Sequence, residues 1–345
     1  RGDATGPAVA EPTDRDSFNR VKDSLRGAWV ISAAPVTMRG PQPGDKDAAL
    51  QKAISEAGIL GRVYSSSSEL VNTYGYMPAS PDQLPTEIRV IVRKSDMAAI
   101  RQALIAERPT RLAIQAGATF YPGPAQVPNV IAEIPGSEKP DEVVLFGAHL
   151  DSWNGPGSEG ANDDGTGSMV MLEAARILAK AGAKPKRTIR FVLFAGEEQG
   201  LLGSRAYAEK YASSMGKISA VFVDDGGSNY QGGLAGSSDM KEMLELALAP
   251  MSRAFPDMPV SVTVSDPFPS FGGSDHFSFL AYGVPGFFFK ETGRHNYGFV
   301  WHSQNDTFEN TIPEYLVQSA TNSAVVGFNL ASADKLLPRL PKSGG

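Results

Sequence analysis

The chain has 345 residues, 41% hydrophobic and 20% charged, the composition of a globular protein long enough for two sizeable cores. Its net charge of −6 and the lack of a basic block argue against nucleic acid as a partner, and no apolar run reaches the length of a membrane span. With no cysteine, disulfides and thiol chemistry are excluded, so a metal site must be built from His and carboxylates.

Residues 1–19 are polar, with Pro, Gly and Asp throughout, and read as a mobile lead-in. The first residue is Arg1 rather than Met, which implies processing or trimming before this start. From Val21 the pattern becomes short strands and helices. Strands are expected over Ala28–Ser32, Glu87–Val92 and Thr110–Ala116, and helices over Asp47–Glu56 and Lys94–Glu107. The stretch GILGRVYSSS reads as a turn and strand, and the loops GPQPGD and MPASPDQLP carry prolines. This block, residues 20–127, holds no clustered His or acid, and alone it reads as a lid or binding module.

A second domain is expected over residues 128–336. Asn129–Ile134 is a strand, followed by a Pro135-Gly136 turn. Val143–Phe146 and Ile189–Phe194 are apolar runs of the kind buried in parallel sheets. Between them Gly165 and Gly167 open a helix with Met169, Val170, Leu172, Ala175, Ile177 and Leu178 on its apolar side. Further on come a helix over Leu201–Tyr211, a strand over Ile218–Val223 and a helix over Asp239–Ala249. Val260–Val264 is a strand, Ser274–Tyr282 a short helix and Gly286–Lys290 a strand. Ile312–Ser332 is a long closing helix with Pro313 in its first turn, and Leu337–Gly345 is a frayed tail. The fold class is therefore α/β: a mostly parallel, twisted sheet with helices on both faces, plus a smaller α/β module. No internal repeat appears.

The chemistry sits at the carboxyl ends of the apolar strands, where open α/β sheets place ligands. His149 and Asp151 are two apart, so on an extended backbone they share a side. A neutral imidazole binds zinc, and a neighbouring carboxylate can hold its other N–H. Asp163 lies in a Gly-flanked turn before a helix, where a carboxylate can bridge two cations. Glu197 and Glu198 are adjacent at a strand end, so one can ligate while the other remains a general base. Singly each reads as a surface acid or a capping Asp; together at successive strand ends they point to metal-assisted hydrolysis.

The segments HLDSW, GANDDGTG and FAGEEQG resemble the zinc aminopeptidase and glutamate carboxypeptidase family of two-metal exopeptidases. HLDSW with PKRTIRFVLF and EEQG most resembles its plasma glutamate carboxypeptidase-like branch. The likeness runs from about Val130 to Leu330 and, more weakly, over Val21–Pro124, whose element order resembles the protease-associated domain inserted into many relatives. In those relatives a further catalytic segment precedes the insertion, and here the chain starts about where the insertion should: either the sequence is a fragment, or the missing N-terminal catalytic segment is supplied as a separate chain, or this branch lacks it.

The resemblance also implies the remaining ligands. His302, in VWHSQNDT, matches the segment carrying the family's last ligand, with Trp301 where many relatives have Tyr. The gap from Glu198 to the matching ligand lands on Asp225, while strand alternation leaves Asp224 and Asp225 both open. One zinc would then take His149 and Asp225 and the other Glu198 and His302, with Asp163 bridging. A metal-bridged water would be the nucleophile, Glu197 its general base, and Asp151 the residue orienting His149. The Asp163–Asp164 bond is expected to be cis, as in relatives. His276 lies in GGSDHFSF, a family-like segment beside the site, where Ser274 could cap the short helix and Asp275 or His276 could face the pocket, a structural role for His276 being equally open; His295 is assigned to solvent.

The expected activity is that of a zinc-dependent exopeptidase with two Zn2+ per chain, hydrolysing short peptides as an aminopeptidase, dipeptidase or carboxypeptidase. Its setting would be secreted or periplasmic, and a homodimer is its candidate assembly. The alternatives are a glutaminyl cyclase-like enzyme using one metal and a receptor-type relative that has lost ligands.

Overall fold

A computed structural model describes residues 2–35, 47–72, 80, 82, 87–117, 119–153, 155, 157–270 and 273–341. The loop GPQPGD and most of MPASPDQLP lie outside the described residues. The chain divides into two compact units, residues 1–125 (with the short stretch 154–156) and the remainder.

The first unit begins with β1 (Gly2–Ala10), α1 (Arg15–Leu25), β2 (Trp29–Pro35) and α2 (Ala48–Glu56). It continues with β3 (Gly61–Ser65), β4 (Ile88–Val92), α3 (Lys94–Ile105) and β5 (Arg111–Ala116). The sheet order is β4-β3-β2-β1-β5, parallel except for β5. Its core gathers Trp29, Ile31, Val63 and Met97 on one side and Leu25, Val30, Leu50 and Ile54 on the other. The expected mobile lead-in is thus overturned: β1 is an inner strand bonded to both β2 and β5. Its small residues hid it, because they carry little hydrophobic signal yet are what close packing requires. A Cβ on Gly6 would run into the Gly27 carbonyl and Leu60.

The second unit opens with β6 (Val130–Ile134), β7 (Lys139–His149), α4 (Thr166–Lys180), β8 (Arg187–Phe194) and α5 (Leu202–Lys210). Then come β9 (Ile218–Val223), β10 (Tyr230–Gly236), α6 (Lys241–Leu248), α7 (Met251–Ala254) and β11 (Ser261–Val264). The last elements are α8 (Phe277–Leu280), β12 (Gly286–Phe288), β13 (Lys290–Thr292), α9 (Tyr297–Val300) and α10 (Pro313–Ser332). The main sheet runs β12-β9-β7-β8-β6, parallel except for the edge strand β6; a smaller sheet runs β11-β10-β13.

Alternation along the central strands feeds two cores. Val144, Phe146 and Ala148 of β7 join Ile189, Phe191, Ala220 and Phe222 under α4 and α10. Val143 and Leu145 join Val192, Phe194, Val221 and Val223 against Tyr207 of α5 and Phe279 of α8. Helices therefore cover both faces, and the unit is a mixed α/β fold as expected.

Several local expectations need correction. The buried face of α4 is Val170, Met171, Ala174 and Leu178, a 3.6-residue spacing, while Met169 and Leu172 are exposed. The strand expected over Gly286–Lys290 is two strands in different sheets. The tail is docked at least to Leu340: Leu337 is buried with its N–H on Ser219 Oγ, and the Arg339 guanidinium donates to the carbonyls of Met215, Ile218 and Tyr282.

Candidate active site

Pairing register sets the site. His149, the last residue of β7, lies level with Phe194 of β8, and Gly147 with Val223 of β9. The residues that follow these strands therefore emerge at one edge: Asp151, Glu197 and Glu198, and Asp224 with Asp225. Between β7 and α4 the chain makes a tight turn over Ala161–Gly165 that carries Asp163, and the Asp163–Asp164 peptide bond is cis, as expected. Gly167 is required there, since a Cβ would strike the Asp224 carbonyl and the Asp164 carboxylate.

Two triads result. His149 Nε2 is 3.2 Å from Asp163 Oδ1 and 3.4 Å from Asp225 Oδ1. His302 Nε2 is 3.0 Å from Glu198 Oε2 and 3.5 Å from Asp163 Oδ2. Both sets are compact enough for one ion each, and Asp163 belongs to both, one oxygen to each. Asp225 is the member of the pair brought into the triad. Asp224 instead accepts from Gln231 Nε2 at 3.0 Å and shares a hydrogen bond with Glu291. Burial pushes the Asp224 carboxyl up to about 6.

Do these residues fit metal ions? Asp163 Oδ2 and Glu198 Oε1 are buried without a hydrogen-bond partner. Burial raises the carboxyls of both Glu198 and Asp225 above their ordinary range. Buried lone pairs without donors are costly, and divalent cations supply what is lacking. The donor set of imidazole and carboxylate suits zinc. The His149 ring is set for ligation, because its Nδ1 lies 2.8 Å from the Asp151 carbonyl. A carbonyl only accepts, so Nδ1 carries the proton and Nε2 is free to bind a metal.

Asp151 acts differently from expectation. Its carbonyl, rather than its carboxylate, holds His149. The carboxylate is 3.8 Å from Nδ1 and instead accepts from the backbone N–H groups of Glu197 at 3.0 Å and Glu198 at 3.3 Å. It thereby fixes the acid pair. Burial, with the Asp225 charge adding, pushes the Glu197 carboxyl up to about 9. Cations beside it act in the opposite direction.

A cavity of about 520 Å³ opens over both triads, with Trp153, Leu201, Phe277, Phe288 and Tyr297 among its walls. His302 lies between two indoles: ring centroids are 3.9 Å away for both Trp153 and Trp301, nearly parallel. Its backbone is left-handed, with φ 53°, unusual for a residue with a Cβ.

Residues 129–326 match the family described as Peptidase family M28. The chain belongs to that family. Carboxypeptidase Q of Mus musculus is 35% identical over 337 residues, which cover 94% of this chain and 67% of the relative. A probable leucine aminopeptidase of Arthroderma otae is 33% identical over 58% of this chain and 56% of its own length. Among solved structures, a peptidase M28 precursor from Shewanella amazonensis superposes with a TM-score of 0.63 at 25% identity, covering 98% of this chain and 76% of that one. A zinc aminopeptidase from Bacillus subtilis shares the fold, with a TM-score of 0.56 at 19% identity over 99% of this chain and 79% of its own. The paired triads are a two-zinc exopeptidase site of the kind this family carries.

Around these ligands the M28 peptidase has supports that motif reading passed over. Asp306 accepts from the backbone N–H groups of Asn162 at 2.6 Å and Asp163 at 3.2 Å, clamping the bridging turn. Asp164 accepts from the N–H groups of His149 and Gly167, and the Ser168 hydroxyl donates to the His149 carbonyl. Asp164 lies in GANDDGTG next to the ligand Asp163 and Asp306 in VWHSQNDT four residues after His302, so proximity to a ligand in these segments was the available signal. His276 is buried, edge-on to Phe288, and outside both triads. Ser274 makes no side-chain cap on the helix that follows. His295 is half-buried rather than solvated, and burial lowers its pKa.

Proposed function

We propose that this chain is a zinc-dependent exopeptidase of short peptides, with Glu197 as its general base. The observation that carries the reading is the pair of triads joined by Asp163 on the floor of a cavity that Glu197 also lines. His149 and Asp225 would hold one zinc ion, Glu198 and His302 the other, and Asp163 both. Bound there, two zinc ions would polarise a scissile carbonyl and lower the pKa of attacking water. Glu197, partly buried and pinned through its backbone by Asp151, would accept the water's proton and pass it to the leaving amine. The Asp151 carbonyl would keep His149 in the ligating tautomer.

The likeness to Carboxypeptidase Q covers nearly the whole chain, whereas that to the leucine aminopeptidase covers 58%, which favours dipeptidase or carboxypeptidase character and the plasma glutamate carboxypeptidase-like branch. The first unit is read as a protease-associated-like module on its element order. Both triads are present, which weighs against a one-metal cyclase and against a binder that has lost ligands. No helix among the described residues is long and apolar enough to cross a membrane, and we assign the chain to a secreted or periplasmic setting. The test is a dipeptide library with free and blocked termini, run on protein of measured zinc content. Turnover that follows zinc content supports the reading; two bound ions without hydrolysis of any peptide refutes it.

A further inference from the structure

We infer that Arg205 receives a carboxylate of the substrate and thereby selects which peptides are bound. The inference rests on the peptidase reading of the cavity. Apart from the ligand His302, Arg205 is the basic residue among the described residues lining that cavity. It sits in the first turn of α5, its N–H bonded to the Leu201 carbonyl at 3.0 Å, and it lines the same cavity as the acid pair and Leu201.

Arg205 also lines the adjoining groove with Phe277, Ser278 and Tyr282. Its side chain makes no hydrogen bond or ion pair with any described residue. Glu209 stands at the i+4 position on the same helix and lines the same groove, the spacing at which helical ion pairs form, yet the two do not pair. The guanidinium is thus left for a partner from outside.

Charge balance indicates what that partner is. Of the acids lining the cavity, Asp163, Glu197, Glu198 and Asp225 bring four negative charges, which two divalent ions in the triads would cancel, while Asp151 and Asp164 lie behind them, held by backbone N–H groups. Arg205, exposed at the cavity's edge, then remains as a cation unpaired among the described residues, beside apolar Leu201 and Phe277, where a fork-shaped donor binds a carboxylate in a fixed geometry. A short peptide offers two such groups, its terminal carboxylate and an acidic side chain.

The experiment compares zinc-loaded chains carrying Glu197→Gln, with and without Arg205→Gln, by calorimetric binding of four peptides. The first pair is a neutral dipeptide and its C-terminal amide. The second pair is two amidated dipeptides differing only by Glu or Gln in the second residue. Loss of a hydrogen bond to a charged group should weaken the carboxylate-bearing member by roughly 10- to 100-fold and its partner by less than about twofold. A loss confined to the first pair identifies the terminal carboxylate, and one confined to the second the side chain.

In the chain with Glu197 intact, the penalty on the same peptide should fall on KM more than on kcat, and Arg205→Lys should restore part of it. Equal effects on acids and amides, or no effect on either, overturn the inference. The dipeptide library decides the peptidase reading separately, and the binding comparison decides Arg205 whichever way that falls.

Discussion

The two triads share one carboxylate but are built differently. His149, Asp163 and Asp225 are all buried, and two of them continue directly from central strands of the main sheet. Glu198 and His302 are only partly buried. His302 comes from the segment after α9, adopts a left-handed backbone and is held between two indoles. A ligand fixed by a sheet is preorganised by hydrogen bonding along the strands. A ligand on a loop depends on the side chains packed around it. The second site should therefore be the easier one to empty, and each variant below either separates the sites or tests what they have in common.

The largest effect is expected where neither site is touched. Glu197→Gln should cut turnover by roughly a hundredfold to ten-thousandfold while zinc content stays at two ions per chain. Elemental analysis showing a lost ion would exchange the roles of Glu197 and Glu198.

His302→Ala should reduce zinc content toward one ion per chain, whereas His149→Ala should disturb the buried site. A chelator titration of the unaltered chain should release zinc in two steps, and His302→Ala should remove the earlier one. Release of both ions in one step would show that the sites differ in surroundings but not in strength.

Trp153→Ala or Trp301→Ala should weaken the second site alone, by roughly tenfold, since groups that hold a ligand in place commonly matter by 10- to 100-fold in affinity. Equal weakening of both sites would mean that the indoles support the cavity as a whole.

Much of this contrast was visible in the sequence, and the reason is physical. His149, Glu197 and Glu198 follow long apolar runs, and such runs are strong signals because a strand covered on both faces has to be apolar throughout. Asp163 was read from its Gly-flanked turn before a helix and His302 through motif resemblance, since their loops have no periodicity. What stayed hidden depends on contacts between distant segments. Asp306 clamps the Asp163 turn across 143 residues of chain, and no local pattern announces that. Strand β10, YQGGLAG, is three-sevenths glycine, so it lacks the β-branched pattern that marks a strand, yet it is the centre of the smaller sheet. The ambiguity between Asp224 and Asp225 had the same origin, since only the third dimension shows which carboxylate reaches His149.

That pair supplies the smallest effect. Asp225→Asn should lower zinc occupancy of the first site; Asp224→Asn should keep both ions, because the Asp224 carboxyl is engaged by Gln231 and Glu291. Its consequence should lie in stability instead. Burial holds the folded-state pKa of Asp224 at about 6, above the value of about 3.9 for an unfolded Asp. A carboxyl raised on folding contributes stability that is fully present below the unfolded value and is lost as pH rises through the folded one. Asn is neutral throughout and has no such loss. Denaturant unfolding of the metal-free chains at about pH 4 and about pH 7 should therefore shift the difference between variant and parent toward the variant by roughly 1–3 kcal/mol. A difference that does not change with pH would mean that Asp224 keeps its charge when folded, with Glu291 alone holding the shared proton.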